Sequence, residues 1–345
     1  MQHPTVQVIG RNEEYFPEDA RRLVIEPPAC SLEPSIRQAH ILTFNYRSYS
    51  FFKDSKAENV SFGIGGEFSQ DEEVLPNGRY QQVLLFMPKS KPELELYLDI
   101  AANFVEGDGR VFLVGEKKAG IASGAKRLAQ RAEKSEKLDS AKHCQLWEAT
   151  GFEARDTFDV NSYVEELSVD INGTDLKLAA IPGVFASGKL DEGTQLLLEQ
   201  KVRRLKGRTL DFGCGAGVIG AYLKKVNPEI KLECIDINWF ALLATKTTLK
   251  LNGLEGAVYP SDGWSEVKGR VNGVVTNPPF HQGVSTEYET TERFIRSAHS
   301  KMARYAPMYI VANNFLRYPT IIESVFGKCT YYAKSTKFNV YYCER

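Results

Sequence analysis

Hydrophobic positions along this chain fall into short solid runs separated by stretches of helical period. Gln82-Val-Leu-Leu-Phe-Met87 is a solid apolar run closed by Pro-Lys-Ser-Lys-Pro, which predicts a buried strand stopped by a Pro-rich loop. From Glu93 to Asn103, Leu94, Leu96, Leu98, Ile100 and Ala101 form a dense apolar stripe that predicts a helix. Gly107 to Gly109 then turns the chain into Arg110-Val-Phe-Leu-Val114, a continuous hydrophobic run of parallel-sheet type. Strand, helix and strand in that order predict an α/β unit.

The plan recurs. Met308-Tyr-Ile-Val-Ala312 leads through a helix-like stretch and Gly327 to an alternating strand, Ser335 to Glu344. Earlier, Val111 to Val114 leads through an Ala/Lys/Arg-rich helix, Ser123 to Lys134, to Asp139 through Glu148. Both end segments carry Ser-x-Lys followed by an aromatic-bearing strand that ends in Glu, which suggests two copies of one domain. The expected organisation is a first copy over 1–150, a connecting β-ribbon over 151–180 and a second copy over 181–345. The ribbon is acidic and alternating, with an Asn172-Gly173 hairpin turn.

Composition narrows the class. Of 345 residues, 43% are hydrophobic and 25% charged, with 27 glycines and 15 prolines, which excludes collagen-like and wholly disordered chains. Lysine and arginine number 43 against 44 acidic residues, so a polyanionic partner must be met by local basic patches. Two clusters qualify by sequence: Lys201, Arg203, Arg204, Lys206 and Arg208, and in the first half Lys117, Lys118, Lys126, Arg127, Arg131 and Lys134. Each also reads as a solvated helix face. The six cysteines are scattered without Cys-x-x-Cys pairs, so they are read as reduced core thiols, and no metal is expected. With no secretory pattern at Met1 to Gly10 and no long apolar span, a cytoplasmic protein without membrane contact is expected, as a monomer.

Candidate chemistry begins at Arg208-Thr-Leu-Asp-Phe-Gly-Cys-Gly-Ala-Gly-Val-Ile-Gly220, a strand that runs into glycines and then a helix from Val218 to Val226. Glycines let backbone approach a ligand where a Cβ would clash, and a helix N-terminus follows. From Gly215 the spacing also fits the dinucleotide fingerprint, with acidic Asp236 closing the next strand, so NAD is permitted. Asp211 before the first glycine and the tight spacing of Gly213, Gly215 and Gly217 favour S-adenosylmethionine. Asp236 suits the ribose hydroxyls. Val258-Tyr-Pro-Ser-Asp262-Gly-Trp264 is a third contact, with Asp262 facing an adenine amine and Gly263 permitting close approach, although Asp-Gly is also a common turn.

Val274-Val-Thr-Asn-Pro-Pro-Phe-His-Gln-Gly283 is the most informative stretch. A strand delivers Asn277, then Pro278 and Pro279 stiffen a loop with Phe280 at its tip. The Asn277 side-chain oxygen and the Pro278 carbonyl suit an exocyclic amine: accepting its two N–H groups localises a delocalised lone pair. Phe280 offers a stacking face, and His281 a contact to substrate. Upstream, Ile181 to Thr194 reads as a Gly-rich flap before a helix from Gln195 to Val202, with Phe185, Gly193 and Thr194 able to close over a cofactor or simply to cap that helix.

With these residues placed, the chain resembles the RsmC-type ribosomal RNA small-subunit guanine-N2 methyltransferases, a two-copy family with a degenerate first domain. The likeness rests on Pro182-Gly-Val-Phe185, Leu190-Asp-Glu-Gly193, Leu210 to Gly217, Ser265 to Arg270 and Asn277 to Gly283, with Pro88 to Glu93 and Val114-Gly-Glu116 in the first half. The resemblance implies two tandem Rossmann-like class I methyltransferase domains, each a mixed seven-stranded sheet flanked by helices. It also implies a methyl transfer from S-adenosylmethionine to a flipped guanine of ribosomal RNA or the small subunit. Asp211, Gly213, Cys214, Gly215, Gly217, Asp236, Ile237, Asp262, Gly263 and Asn277 are the expected cofactor residues, Asn277 to Phe280 the catalytic ones, and Phe280 and His281 the substrate contacts. Large-subunit guanine-N2 methyltransferases share Asn-Pro-Pro-Phe-His, and protein-glutamine N5 methyltransferases apply the same logic to an amide. A dehydrogenase leaves Asn277 to Phe280 unused, and a non-enzymatic RNA-binding factor leaves the whole second half unexplained.

Overall fold

The computed structural model describes all residues except 1, 58, 66–67, 69–78, 185–189, 201, 203–204 and 279–284, and the side chains of 285–287. It divides into two compact units, Met1–Tyr163 and Val164–Arg345.

In the first unit the strands are β1 (Arg22–Ile25), β2 (His40–Thr43), β3 (Val60–Phe62), β4 (Tyr80–Phe86), β5 (Val105–Glu116), β6 (Ala132–Ala141) and β7 (Cys144–Phe152). The helices are α1 (Pro4–Gly10), α2 (Pro34–Arg37), α3 (Tyr46–Asp54), α4 (Lys91–Phe104) and α5 (Ile121–Ala129). The sheet order is β3-β2-β1-β4-β5-β7-β6, parallel except for β7, which runs antiparallel to both β5 and β6. Strands covered on both faces must be apolar throughout, and Leu23, Val24, Ile25, Val83, Leu84 and Leu85 are fully buried. Ser90 starts α4 by accepting from the Glu93 N–H at 3.3 Å, and the helix buries Leu94, Leu96, Leu98 and Ile100.

The second unit opens with a two-stranded ribbon, β8 (Glu165–Ile171) and β9 (Thr174–Ala180), turning at Asn172 and Gly173 with φ of 54° and 77°. Then come α6 (Glu192–Glu199), β10 (Arg208–Phe212), α7 (Val218–Val226), β11 (Lys231–Asp236), α8 (Trp239–Leu251), β12 (Ala257–Pro260), β13 (Gly273–Thr276), α9 (Ser285–Lys301), β14 (Pro307–Asn313), α10 (Tyr318–Phe326), β15 (Thr330–Lys334) and β16 (Phe338–Glu344). Its sheet order, β12-β11-β10-β13-β14-β16-β15, traces the same circuit as the first. The ribbon packs within this unit: the Ala179 N–H donates to Thr248 Oγ1 at 2.9 Å, and Asn172 Nδ2 donates to Leu198 O at 2.8 Å. The expected 151–180 segment is therefore divided, with its first residues closing β7 and its ribbon joined to the second unit.

Two local expectations shift. The helix expected to run to Lys134 ends at Ala129, because Arg131 is tied to Asp99 at 2.6 Å and Glu95 at 2.9 Å and the chain beyond enters β6. The expected strand over Asp139–Glu148 is a hairpin whose turn, Lys142 and His143, has φ of 52° and 59°.

Register matches the two sheets residue by residue. Ile25 pairs with Leu42 as Phe212 pairs with Ile235, and Val24 pairs with Leu84 as Asp211 pairs with Val275. The Glu26 N–H donates to Leu42 O at 2.9 Å, as the Gly213 N–H does to Ile235 O at 2.9 Å. Glu26 thus holds the place of Gly213, Phe86 that of Asn277 and Thr43 that of Asp236. Gly63 donates to Thr43 O as Ser261 does to Asp236 O, so the Gly-Ile-Gly after Phe62 corresponds to Ser261-Asp262-Gly263 and not to the glycine cluster. Glu26 lies in the left-handed region at φ 54°, and its carboxylate accepts from Thr43 Oγ1 at 2.8 Å and from the Phe44 N–H. A side chain therefore stands where the second unit has a bare glycine.

Candidate active site

β10 ends in a loop whose Gly213, Gly215 and Gly217 have φ of 68°, 55° and 77°, the left-handed conformation that a Cβ disfavours. A Cβ on Gly217 would come within 3.0 Å of the Thr245 Cα on α8, so the loop sits directly against that helix. The Thr245 hydroxyl donates to Gly215 O at 3.0 Å and lies 3.2 Å from Cys214 Sγ. Cys214 is buried, and burial pushes its thiol well above the ordinary value, which suits packing and not nucleophilic chemistry.

Asp236 closes the neighbouring strand β11 and joins both loops. Its Oδ2 accepts from the Gly215 N–H at 3.1 Å and its Oδ1 from the Asn238 N–H at 2.9 Å. Burial raises its pKa, opposed by the backbone hydrogen bonds of Asn238, Gly215 and Ile237. Asp236 and Ile237 are half-buried. Asp211 does not share that exposure. It is fully buried, its Oδ2 accepts from the Gly220 N–H at 2.9 Å, and its Oδ1 has no hydrogen-bond partner. Burial lifts its pKa to about 7, against the Gly220 bond and with the charge of Asp236. Asp211 supports the loop from beneath the first turn of α7.

Ser261 to Ser265 follow β12 as a tight turn. Ser261 Oγ donates to Gly263 O at 2.8 Å, and the Asp262 N–H donates to Ser265 Oγ at 3.2 Å. Gly263 has φ 63° with open space where its Cβ would be, and Asp262 is half-buried. Trp264 stacks on Phe294 at 4.4 Å and Phe294 on Phe212 at 3.8 Å, a ring stack beneath the ends of β10 and β12.

Asn277 is half-buried at the end of β13, beside β10. Thr276 before it is buried and donates from Oγ1 to Phe212 O at 2.6 Å, locking the two strand ends. The Asn277 amide Nδ2 donates to Asp191 Oδ2 at 2.7 Å and Thr194 Oγ1 at 2.9 Å. Asp191 is also the N-cap of α6, where its Oδ2 accepts from the Thr194 N–H at 2.8 Å. The first turn of α6 thus belongs to the site. Of the two readings the sequence offers for Thr194, a flap over a cofactor or a helix cap, the structure shows the capped helix, opened by Asp191 in the pattern Asp-x-x-Thr before an apolar run.

Glycine loop, Asp236, Asp262 turn and Asn277 therefore all lie at the carboxyl ends of adjacent strands, the place where open α/β sheets bind ligands. Pro278 is buried beside Asn277; Pro279, Phe280, His281 and Phe185 lie outside the described residues, as do Lys201, Arg203 and Arg204. The basic clusters are partly neutralised. Arg208 holds Glu233 at 2.6 Å, and Arg127 and Arg131 pair with Glu95 and Asp99 on α4. Among the described residues no group of three or more His, Cys, Asp or Glu is placed to hold a metal ion, and no helix is long and apolar enough to cross a membrane.

Residues 175–342 match the family described as Methyltransferase small domain, and residues 6–167 the Methyltransferase small domain N-terminal. Ribosomal RNA small subunit methyltransferase C of Aliivibrio salmonicida is 36% identical over 314 residues, 91% of this chain and 90% of that one. The protein of that name from Pseudomonas fluorescens is 40% identical over 302 residues, 87% and 90%. The chain belongs to the ribosomal RNA small subunit methyltransferase C family. The fold of the Thermus thermophilus 16S rRNA N2 G1207 methyltransferase (RsmC), solved with AdoMet and guanosine, superposes with a TM-score of 0.83 at 21% identity, covering 100% of this chain and 92% of that one. The two tandem domains of the methyltransferase C family are thus the two seven-stranded units described above, with the glycine loop and Asn277 in the second.

Proposed function

We propose that the chain transfers a methyl group from S-adenosylmethionine to the exocyclic N2 of a guanine in small-subunit ribosomal RNA. The observation that carries this reading is the convergence of the glycine loop, Asp236 and Asn277 at neighbouring strand ends of one sheet. The names borne by the methyltransferase C relatives favour the small subunit over the large and over a glutamine amide.

The second unit fits the cofactor on its own geometry. The left-handed glycines at 213, 215 and 217 leave backbone bare, Gly263 has open space at its Cβ position, and half-buried Asp236 carries a carboxylate suited to ribose hydroxyls. The cofactor supplies an electrophilic methyl group when bound. Asn277 Oδ1 and the Pro278 carbonyl would accept the two N–H groups of the guanine amine and localise its lone pair on nitrogen, and the aromatic side chain at 280 would offer a stacking face to the base. The methylated nitrogen is strongly acidic and releases its proton without a dedicated base. Guanine N2 lies in a paired edge, so the base must leave its stack to reach this loop.

In this reading the first unit is a cofactor-free copy that supports folding or RNA contact, since Glu26 and Phe86 hold the places of Gly213 and Asn277. Equilibrium dialysis with labelled S-adenosylmethionine should find a single site per chain, with NAD failing to compete. Incubation with small-subunit RNA or subunits, followed by mass mapping, should place the label on guanine N2; label on another base, or on protein, would overturn the assignment.

A further inference from the structure

The Asn277 amide is held from behind by two acceptors on one helix turn. Asp191 Oδ2 lies 2.7 Å from Nδ2 and Thr194 Oγ1 lies 2.9 Å from it, so both amide protons are occupied. A primary amide has two N–H donors and one carbonyl; fixing the donors fixes the carbonyl, and Oδ1 is left as the group free to face substrate. Asp191 is itself immobilised, because the same Oδ2 caps α6 through the Thr194 N–H at 2.8 Å. Next to it, Gly193 lets α6 lie against β16: a Cβ there would meet Phe338 at 3.1 Å and Asp191 Oδ2 at 3.0 Å.

We propose that Asp191, assisted by the Thr194 hydroxyl, is the positioning residue that sets the Asn277 amide with its oxygen towards the acceptor amine. This deepens the methyl-transfer reading and rests on it. Without the Asp191 carboxylate the amide can rotate and present Nδ2, a donor, to an amine that needs an acceptor. The first turn of α6 thereby carries the polarity of the active loop: an anion behind the amide strengthens its N–H bonds and makes Oδ1 a better acceptor.

The test uses the full chain and compares Asp191→Ser with Asp191→Asn. Serine keeps an N-cap oxygen for α6 but is too short to reach Asn277, whereas asparagine keeps both reach and an acceptor. Single-turnover transfer to small-subunit RNA should fall about tenfold to a hundredfold in Asp191→Ser and recover in part in Asp191→Asn, which restores the acceptor but not the charge. The Kd for S-adenosylmethionine and the thermal midpoint should stay close to the starting values, which separates positioning from folding. In an Asn277→Ala background, Asp191→Ser should cost nothing further, since its route of action is gone. Wild-type turnover in Asp191→Ser, or an equal loss in both backgrounds, would overturn the proposal. The wild-type chain alone tests the methyl-transfer reading, so the two failures are distinct.

Discussion

The Gly215 N–H donates to the Asp236 carboxylate across 3.1 Å, so the glycine loop of β10 and the end of β11 are already joined in the protein itself. The other oxygen of the same carboxylate holds the Asn238 N–H at the start of α8. Asp236 therefore fixes the shape of the crevice, beside the ribose contact proposed for it. Asp236→Ala should weaken S-adenosylmethionine binding by about tenfold or more, since hydrogen bonds to a charged group contribute about 1.5–3 kcal/mol. Calorimetric titration measures it, and an unchanged Kd would remove Asp236 from the site.

Asn277→Ala should lower single-turnover transfer by about a hundredfold or more, to a slow but measurable rate, while leaving cofactor affinity intact. Asn277→Asp is the more revealing change, because it places a second carboxylate 2.7 Å from Asp191 Oδ2. Two carboxylates at that distance share a proton, which raises one pKa. Single-turnover rates of Asn277→Asp should therefore lie between those of wild type and alanine and rise as pH falls; a rate independent of pH would contradict the contact.

Gly217→Ala must adopt φ 77° and bring its Cβ to 3.0 Å from the backbone of α8. A left-handed non-glycine residue costs about 1–2 kcal/mol before any clash. Chemical denaturation should register a loss of at least that order together with weakened cofactor binding, and an unaltered midpoint would mean that the loop relaxes freely.

Glu26 should make the first unit sensitive to pH. Burial raises its pKa to about 7, opposed by the Phe44 and Thr43 hydrogen bonds; Glu93, itself raised by burial, and Tyr97, bonded to Glu93 at 3.2 Å, face the same pocket. A carboxyl with a raised folded pKa binds more protons folded than unfolded, so stability is greatest below the unfolded value and falls as pH rises towards about 7. Glu26→Gln should flatten that decline and gain up to about 3 kcal/mol relative to wild type above neutrality. Thermal midpoints of both proteins across that range check it, and parallel curves would refute it.

The sequence alone exposes those parts of this fold that are locally written. Solid apolar runs mark β4, β5, β13 and β14, and glycines with a following helix mark the β10 loop. β6 escapes notice because its alternating charges read as a helix face; only pairing with buried β7 makes it a strand. The strands β1 to β3 are three or four residues each and the helices between them, α2 and α3, are four and nine residues long, too short for either period to stand out. Of the site, the glycine loop, Asp236 and Asn277 are legible because each carries its chemistry in adjacent residues. The contact of Asp191 with Asn277 bridges 86 positions, and the Asp-x-x-Thr pattern marks the start of a helix without pointing to that contact. Asp211 misleads in the other direction: its place before the glycines suggests a ligand contact, yet it is sealed beneath α7.

The carboxylate at Glu26 has a thermodynamic consequence. A domain that binds a metabolite gains stability with its concentration, about 2.7 kcal/mol when the metabolite stands at a hundred times its Kd. The second unit, with bare glycines at its crevice, is open to that gain. In the first unit an internal side chain permanently takes the hydrogen bonds at the corresponding strand end. If the first unit is the cofactor-free copy proposed above, its stability is uncoupled from the methyl-donor pool, and its thermal midpoint should stay the same whether donor is scarce or abundant.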